Sequence, residues 1–325
     1  MSGEILVTGA TGLIGRYVVA RLLAGGRRVR VLARDPRRLE SDVIGRVRVV
    51  AGDVTDAAAL ARAVDGVGTV LHLAACARAW ARDPREFSLV NVVGVARLLE
   101  ASFSAGIERL VHVSTVLTLP RLRPQPGTRP LTPYEETKLA GERLVDRYAA
   151  SGADALVVHP TRAFGPGPLS DANGVTRLIA RYLHGPVVVR LDDGDVLANY
   201  VHADDVAAGI ILAAERGRRG AHYTLGGENA SLRSLLELAG EVSGRRRRIL
   251  SLPRRAALAA SHAAALWGRL GGEAPITPAW IRCYFEDHRV DVGETSRELG
   301  YRFRPLRAGL EETIQWLLEE FPAAS

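Results

Sequence analysis

The chain has 325 residues, 47% of them hydrophobic, enough to bury one large core or two smaller ones, and this composition excludes a disordered protein. Its 43 basic side chains outnumber the acidic ones by seven, but the arginines are scattered and no nucleic-acid motif with interleaved aromatics accompanies them, so no nucleic-acid partner is expected and most read as solvated surface. The two cysteines, Cys76 and Cys283, lack ligand spacing, which excludes a disulfide framework and a zinc site and fits a reducing compartment.

Met1-Ser2-Gly3-Glu4 passes directly into Ile5-Leu6-Val7 without a basic leader or cleavage site, so a cytoplasmic location is expected. Apolar, β-branched runs then recur at Ile5–Val7, Val29–Ala33, Val47–Ala51, Val70–Leu73, Leu110–Ser114 and Leu156–His159, a pattern suited to strands covered on both faces. Helical periodicity fills the intervals at Gly15–Ala24, Asp56–Val64 (with Thr55 as N-cap), Pro84–Gly106 and Tyr134–Ala150. Such alternation predicts an α/β fold, a Rossmann-type doubly wound parallel sheet. After Gly165-Pro166-Gly167-Pro168 the rhythm becomes irregular. This predicts a smaller, discontinuous C-terminal substrate lobe: residues 1–163 form the dinucleotide domain, rejoined by about 198–227, and 164–197 with 228–325 form the lobe. Tyr200–Arg216 reads as a returning helix and His222–Gly227 as a returning strand. Ala256–Leu270 is too short to span a bilayer and reads as a packed or surface helix, so no membrane partner is expected.

Two motifs carry chemistry. Thr8-Gly9-Ala10-Thr11-Gly12-Leu13-Ile14-Gly15 follows the first strand and opens the first helix. There glycines let the backbone approach a pyrophosphate that the helix N-terminus attracts. At the end of the second strand, where an NAD site would place a carboxylate for the ribose, stands Ala33, followed by Arg34, with Arg37 and Arg38 nearby. A 2′-phosphate would meet cations there, which favours NADP (NADPH) over NAD; in the competing reading Asp35 takes the ribose. Asp53 and Val54, after the third strand, are placed for the adenine edge, although an Asp there is also a common turn residue. The second motif contains the sole lysine. Lys138 follows Tyr134 by four positions on a predicted helix, so both share a face, and in a chain that uses arginine everywhere else it fills a role a planar guanidinium cannot.

The glycine loop, Asp53, His72-Leu73-Ala74-Ala75, Asn91-Val92, Val113-Ser114-Thr115, Tyr134-x-x-x-Lys138, His159-Pro160-Thr161 and Asn199 to Val206 together resemble the extended short-chain dehydrogenase/reductases, the epimerase/dehydratase family. The resemblance spans nearly the whole chain. It implies that Tyr134 is the general acid/base, that Lys138 holds the nicotinamide ribose and lowers the phenol pKa, and that a hydroxyl after the fifth strand binds the reacting oxygen. Thr115 matches that hydroxyl best, with Ser114 as the alternative. Leu73, Ala74, Ala75 and Pro160 would line the cofactor, and Asn91 would either support a proton relay or brace its helix.

Within the family, the branch of dihydroflavonol reductases and 3β-hydroxysteroid dehydrogenases fits best, implying NADPH-dependent reduction of a ketone or the reverse oxidation. Nucleotide-sugar members carry an Arg-Asp-Phe or Arg-Asp-Tyr where this chain has Ala198-Asn199-Tyr200. The alternative is a nucleotide-sugar epimerase or dehydratase with tightly bound NAD, its phosphate cation drawn from Arg162, Arg177 or Arg282. A small-molecule substrate is expected either way, and the family admits a homodimer. The pocket should draw on residues 78–87, 116–131, 164–182 and 275–285, with Trp80, Trp280, Tyr284 and Phe285 as apolar walls.

Overall fold

The computed structural model describes residues 3–119, 132–191, 196–269 and 277–322. The parts of the predicted pocket at 120–131 and 275–276 lie outside the described residues. The first half runs β1 (Glu4–Thr8), α1 (Leu13–Ala24), β2 (Val29–Ala33), α2 (Ser41–Ile44), β3 (Arg48–Ala51), α3 (Ala57–Val64) and β4 (Val67–His72). It continues through α4 (Arg85–Ser88), α5 (Val95–Ser104), β5 (Arg109–Val113), α6 (Pro133–Ala150) and β6 (Ala155–Pro160).

The second half holds β7 (Arg162–Phe164), α7 (Gly174–His184), β8 (Val187–Leu191), β9 (Leu197–His202), α8 (Ala203–Arg216), β10 (His222–Leu225) and β11 (Glu228–Ser231). Then follow α9 (Leu232–Ser243), β12 (Arg248–Leu252), α10 (Arg254–Arg269), α11 (Pro278–Tyr284), α12 (Gly293–Leu299) and α13 (Leu306–Glu320).

A seven-stranded sheet in the order β10-β6-β5-β4-β1-β2-β3 has every neighbouring pair parallel. Its order reverses between β1 and β4, the crevice where ligands bind in open α/β sheets. The strands are apolar on both sides because both faces are covered. On one face Val18, Val19 and Leu22 of α1 and Val206, Ile210 and Ala213 of α8 pack on the sheet. On the other, Leu60 and Ala63 of α3, Val95 and Leu98 of α5 and Val145 of α6 do the same. A third core joins Phe164, Ile179, Tyr200, Leu235, Leu310 and Leu317.

Two local expectations are corrected. Asp56, not Thr55, caps α3, because its carboxylate accepts from the Ala58 and Ala59 amides at 2.9 and 3.2 Å, whereas Thr55 donates to Asp53. Tyr200 to His202 end β9 instead of opening a helix, because that segment pairs with β7 and β11; α8 begins at Ala203. Between α4 and α5 the chain makes a π-helical turn, Leu89–Gly94. The whole run Arg85–Ser104 is the one described helix long and apolar enough, by composition, to cross a membrane. Here Val95, Leu98 and Leu99 pack it against the sheet layer instead.

Candidate active site

The site lies along the C-terminal edge of the parallel sheet. Gly9 adopts φ +76°, and a Cβ there would stand 2.7 Å from the Ala74 amide nitrogen; at Gly15 it would stand 2.1 Å from the Gly9 carbonyl oxygen. Only glycine allows the loop to turn this tightly and lie against both α1 and the strand β4 exit. The α1 N-terminus has Gly12 at its cap, no side-chain cap and no acid in its first turn, so its amides and dipole are left for an anion. Thr11 lines a cavity of ≈ 170 Å³ with Arg16, Arg38, Glu40 and Pro168. Leu13 and Gly15 are buried beneath the loop and Ile14 packs on the core. This cradle fits the pyrophosphate of a dinucleotide.

Thr8 ties the loop to β4: its hydroxyl is 2.7 Å from His72 Nδ1 and accepts from the Ala74 amide at 3.2 Å. Leu73, Ala74 and Ala75 therefore run beside the glycine loop, and Pro160 ends β6 next to Leu225. Arg34 is exposed and lies 3.6 Å from the Asp53 carboxylate. Asp35 is engaged by Arg37, whose Nε donates to it at 2.8 Å. Asp53 is a turn residue, accepting from the Thr55 amide and hydroxyl, each at 2.8 Å, and Val54 is packed in the core.

Tyr134 and Lys138 share the inward face of α6, which Thr132 caps by accepting from the Glu135 amide. The Tyr134 ring packs near Phe87 and stacks on Trp280 with centroids 6.3 Å apart. Burial pushes its phenol up to about 12, against a hydrogen bond from Thr115 that works the other way. The lowering expected from the ammonium is not seen, because Lys138 is aimed at the sheet: its Nζ donates to the Val113 carbonyl at 2.7 Å and sits 3.4 Å from His112 Nε2. Burial brings Lys138 down to about 8, opposed by Glu142. The two hydroxyls divide. Thr115 faces Tyr134, whereas Ser114 donates to Glu142 Oε2 at 2.7 Å. Asn91 links the segment after β4 to α6: Oδ1 accepts from the Cys76 amide at 2.9 Å and Nδ2 donates to Thr137 at 3.1 Å and the Cys76 carbonyl at 3.3 Å.

Behind Thr115 lies a cluster that sequence reasoning missed. His72, His112 and His159 sit near the ends of β4, β5 and β6, and His222 opens β10. Glu142, four residues after Lys138, shares its face of α6. Ligand atoms of Glu142, His159 and His222 lie within 4.8 Å of one another. A metal would need the two imidazole lone pairs to converge on it, but the rings are near coplanar, with centroids 5.2 Å apart and His159 Nε2 only 3.0 Å from His222 Nδ1. The nitrogens point at each other, the geometry of a shared proton. His159 Nδ1–H donates to the Thr115 carbonyl at 3.1 Å and His222 Nε2–H to Asp146 at 2.9 Å. Its hydrogen bond to Glu142 raises the His222 pKa. Burial works to raise Glu142, but His222, His159, Thr118 and Ser114 together hold it down at about 2. The signal was available as one histidine in each apolar strand motif.

Arg162, Arg190 and Arg233 line a pocket with Ala198, Tyr200, Tyr284 and Phe285. Arg162 lies over the Tyr284 ring at 5.4 Å. Arg177 is paired with Asp171 at 2.6 Å, and Arg282 is exposed on α11.

The model of the NAD-dependent epimerase/dehydratase family matches residues 5–226. The chain is 30% identical over 339 residues to "Sterol demethylase protein B" of Methylococcus capsulatus, covering 97% of this chain and 98% of that one. It is 30% identical over 311 residues to the "4-hydroxy-2-methyl-3-oxo-4-farnesyl-3,4-dihydroquinoline-1-oxide ketoreductase" of Stigmatella aurantiaca, covering 92% and 91%. Among solved structures it is similar to MoeE5 in complex with UDP-glucuronic acid and NAD, with TM-score 0.79, 28% identity and coverage of 98% and 100%.

Proposed function

The chain belongs to the NAD-dependent epimerase/dehydratase family, and on that premise we propose that it is an NADPH-dependent ketoreductase, also able to oxidise the secondary alcohol, with Tyr134 as general acid/base. The observation that carries the reading is the stacking of the buried Tyr134 ring on Trp280 on the face of α6 that Thr115 faces, with Lys138 one helical turn on. A nicotinamide dinucleotide whose pyrophosphate the glycine loop holds would supply or accept the hydride. A phenol near 12 is fully protonated at neutral pH and donates its proton to the carbonyl oxygen as charge develops there. The Thr115 hydroxyl steadies that oxygen, and Trp280 keeps water from the phenol. Lys138, on the same helix face and anchored to the Val113 carbonyl, would hold the nicotinamide ribose beside Tyr134.

Arg34, 3.6 Å from the Asp53 carboxylate, and Arg38 would supply the cations for a 2′-phosphate, while Asp35 is held by Arg37. This supports NADPH. The substrate class follows from Ser114-Thr115-Val116, which offers no carboxylate to expel water, and from the apolar wall of Trp280. A relative named as a ketoreductase of a farnesylated ring agrees with a lipophilic ketone.

A second reading, a nucleotide-sugar epimerase keeping NAD, is favoured by one observation. The cation missing at Ala198 has replacements around it in Arg162, Arg190 and Arg233. Titration with NADPH and NADH followed by turnover on lipophilic ketones and UDP-sugars decides: ketone reduction supports the first reading, and sugar interconversion without added coenzyme supports the second.

A further inference from the structure

The chain's excess of positive charge has a single source. Residues 245–269 contain seven arginines and no acidic residue, so the remaining 36 basic side chains balance all 36 acidic ones. Arg245 and Arg247 are turned inward to the carbonyls of Leu183 and Tyr182, whereas Arg246, Arg248, Arg254 and Arg255 are exposed.

Apolar surface accompanies this charge. A helix on a protein surface normally turns its polar side to water. Beyond the exposed Arg254 and Arg255 of its first turn, the outward positions of α10 include Ala256, Ala259, Ala260, His262 and Ala263 and end in Leu266 and Trp267, 59% and 63% exposed. On the adjoining strand pair Val187 stands beside Arg248 and Val189 beside Leu250, and all four are exposed. The surface is joined to the catalytic pocket: Arg254 lies over the Phe285 ring at 5.6 Å at the end of α11, whose Trp280 stacks on Tyr134.

We propose that β12 and α10 form a surface that docks on an anionic lipid bilayer, with Leu266 and Trp267 entering the headgroup region and the exposed arginines meeting the lipid phosphates. The exposed Arg246, Arg248 and Arg255, in a stretch of sequence with no acid of its own, select a negative partner, and the apolar helix face beside them selects a bilayer over a nucleic acid. Docking would place the substrate lobe against the phase in which a lipophilic ketone dissolves, but the proposal stands apart from the reaction catalysed.

The test is co-sedimentation of the full-length protein with vesicles of phosphatidylcholine alone or mixed with phosphatidylglycerol, without coenzyme or substrate. Binding to the mixed vesicles, weakened by salt, with a blue shift in tryptophan emission, is the expected result. Each of Arg246→Ser, Arg248→Ser and Arg255→Ser should weaken it about fivefold. The double variant Leu266→Ser, Trp267→Ser should weaken it at least tenfold and abolish the blue shift while coenzyme binding is retained. No binding to anionic vesicles, binding that the double variant leaves intact, or capture of RNA in place of vesicles overturns the proposal.

Discussion

Lys138→Met should make the protein more stable and nearly inactive. Burial lowers the lysine from 10.5 to about 8, so keeping it charged at neutral pH costs about 3 kcal/mol of folding stability. The sign follows from the direction: the unfolded chain takes up this proton at higher pH than the folded one, and the cost is complete below about pH 8. Methionine fills nearly the same volume without the charge. It forfeits the hydrogen bond to the Val113 carbonyl, which returns about 1 kcal/mol. The net gain of about 2 kcal/mol corresponds to a melting temperature about 3 °C higher in a chain of this size. Turnover should fall at least a hundredfold, because nothing on α6 then holds the nicotinamide ribose beside Tyr134. Differential scanning calorimetry and NADPH-linked ketone reduction on the same sample read both. A lower melting temperature would show that the lysine holds the fold, and turnover within threefold of the parent would remove it from the mechanism.

Other outcomes follow from the same geometry. Tyr134→Phe should abolish turnover and leave NADPH affinity within a few-fold by calorimetry, since the ring still packs under Trp280. Thr115→Val should lower kcat by roughly a hundredfold, whereas Ser114→Ala, which removes only a donor to Glu142, should cost less than tenfold; the reverse order would exchange their roles. Arg34→Ala should weaken NADPH much more than NADH in fluorescence titrations, and equal weakening of both would refute the 2′-phosphate reading. His72 and His202 are buried and neutral, depressed by burial to about 3 and about 4. Each contributes stability that is full above pH 6.5 and is lost as pH falls, about 1.4 kcal/mol apiece at pH 5.5, while His222, shifted the other way, gains in the same window. Thermal melts should therefore fall from pH 7 to pH 5.5, and a flat or rising profile contradicts this assignment.

The parallel sheet was legible because strands buried on both faces must be apolar throughout, and Tyr134 with Lys138 because helical spacing alone puts them on one side. What escaped the sequence depended on contacts between distant segments. Tyr200 has helical neighbours but is claimed by β7 and β11. Ser114 and Thr115 are chemically alike, and only the position of Glu142 separates them. The three arginines around Ala198 come from β7, β8 and α9, so no local motif announces them. The resemblance implied a phenol lowered by Lys138, but burial raises Tyr134 and Lys138 points away to Val113.

The central claim is net hydride transfer to a ketone under the control of Tyr134. Incubating the protein with NADPH deuterated at its transferable hydrogen and a lipophilic ketone, then analysing the alcohol by mass spectrometry, tests it most directly. The account predicts one deuterium on the carbinol carbon for each NADPH consumed, and none with Tyr134→Phe. Interconversion of a sugar nucleotide with no coenzyme consumed, together with no deuterated alcohol from any ketone, would contradict it.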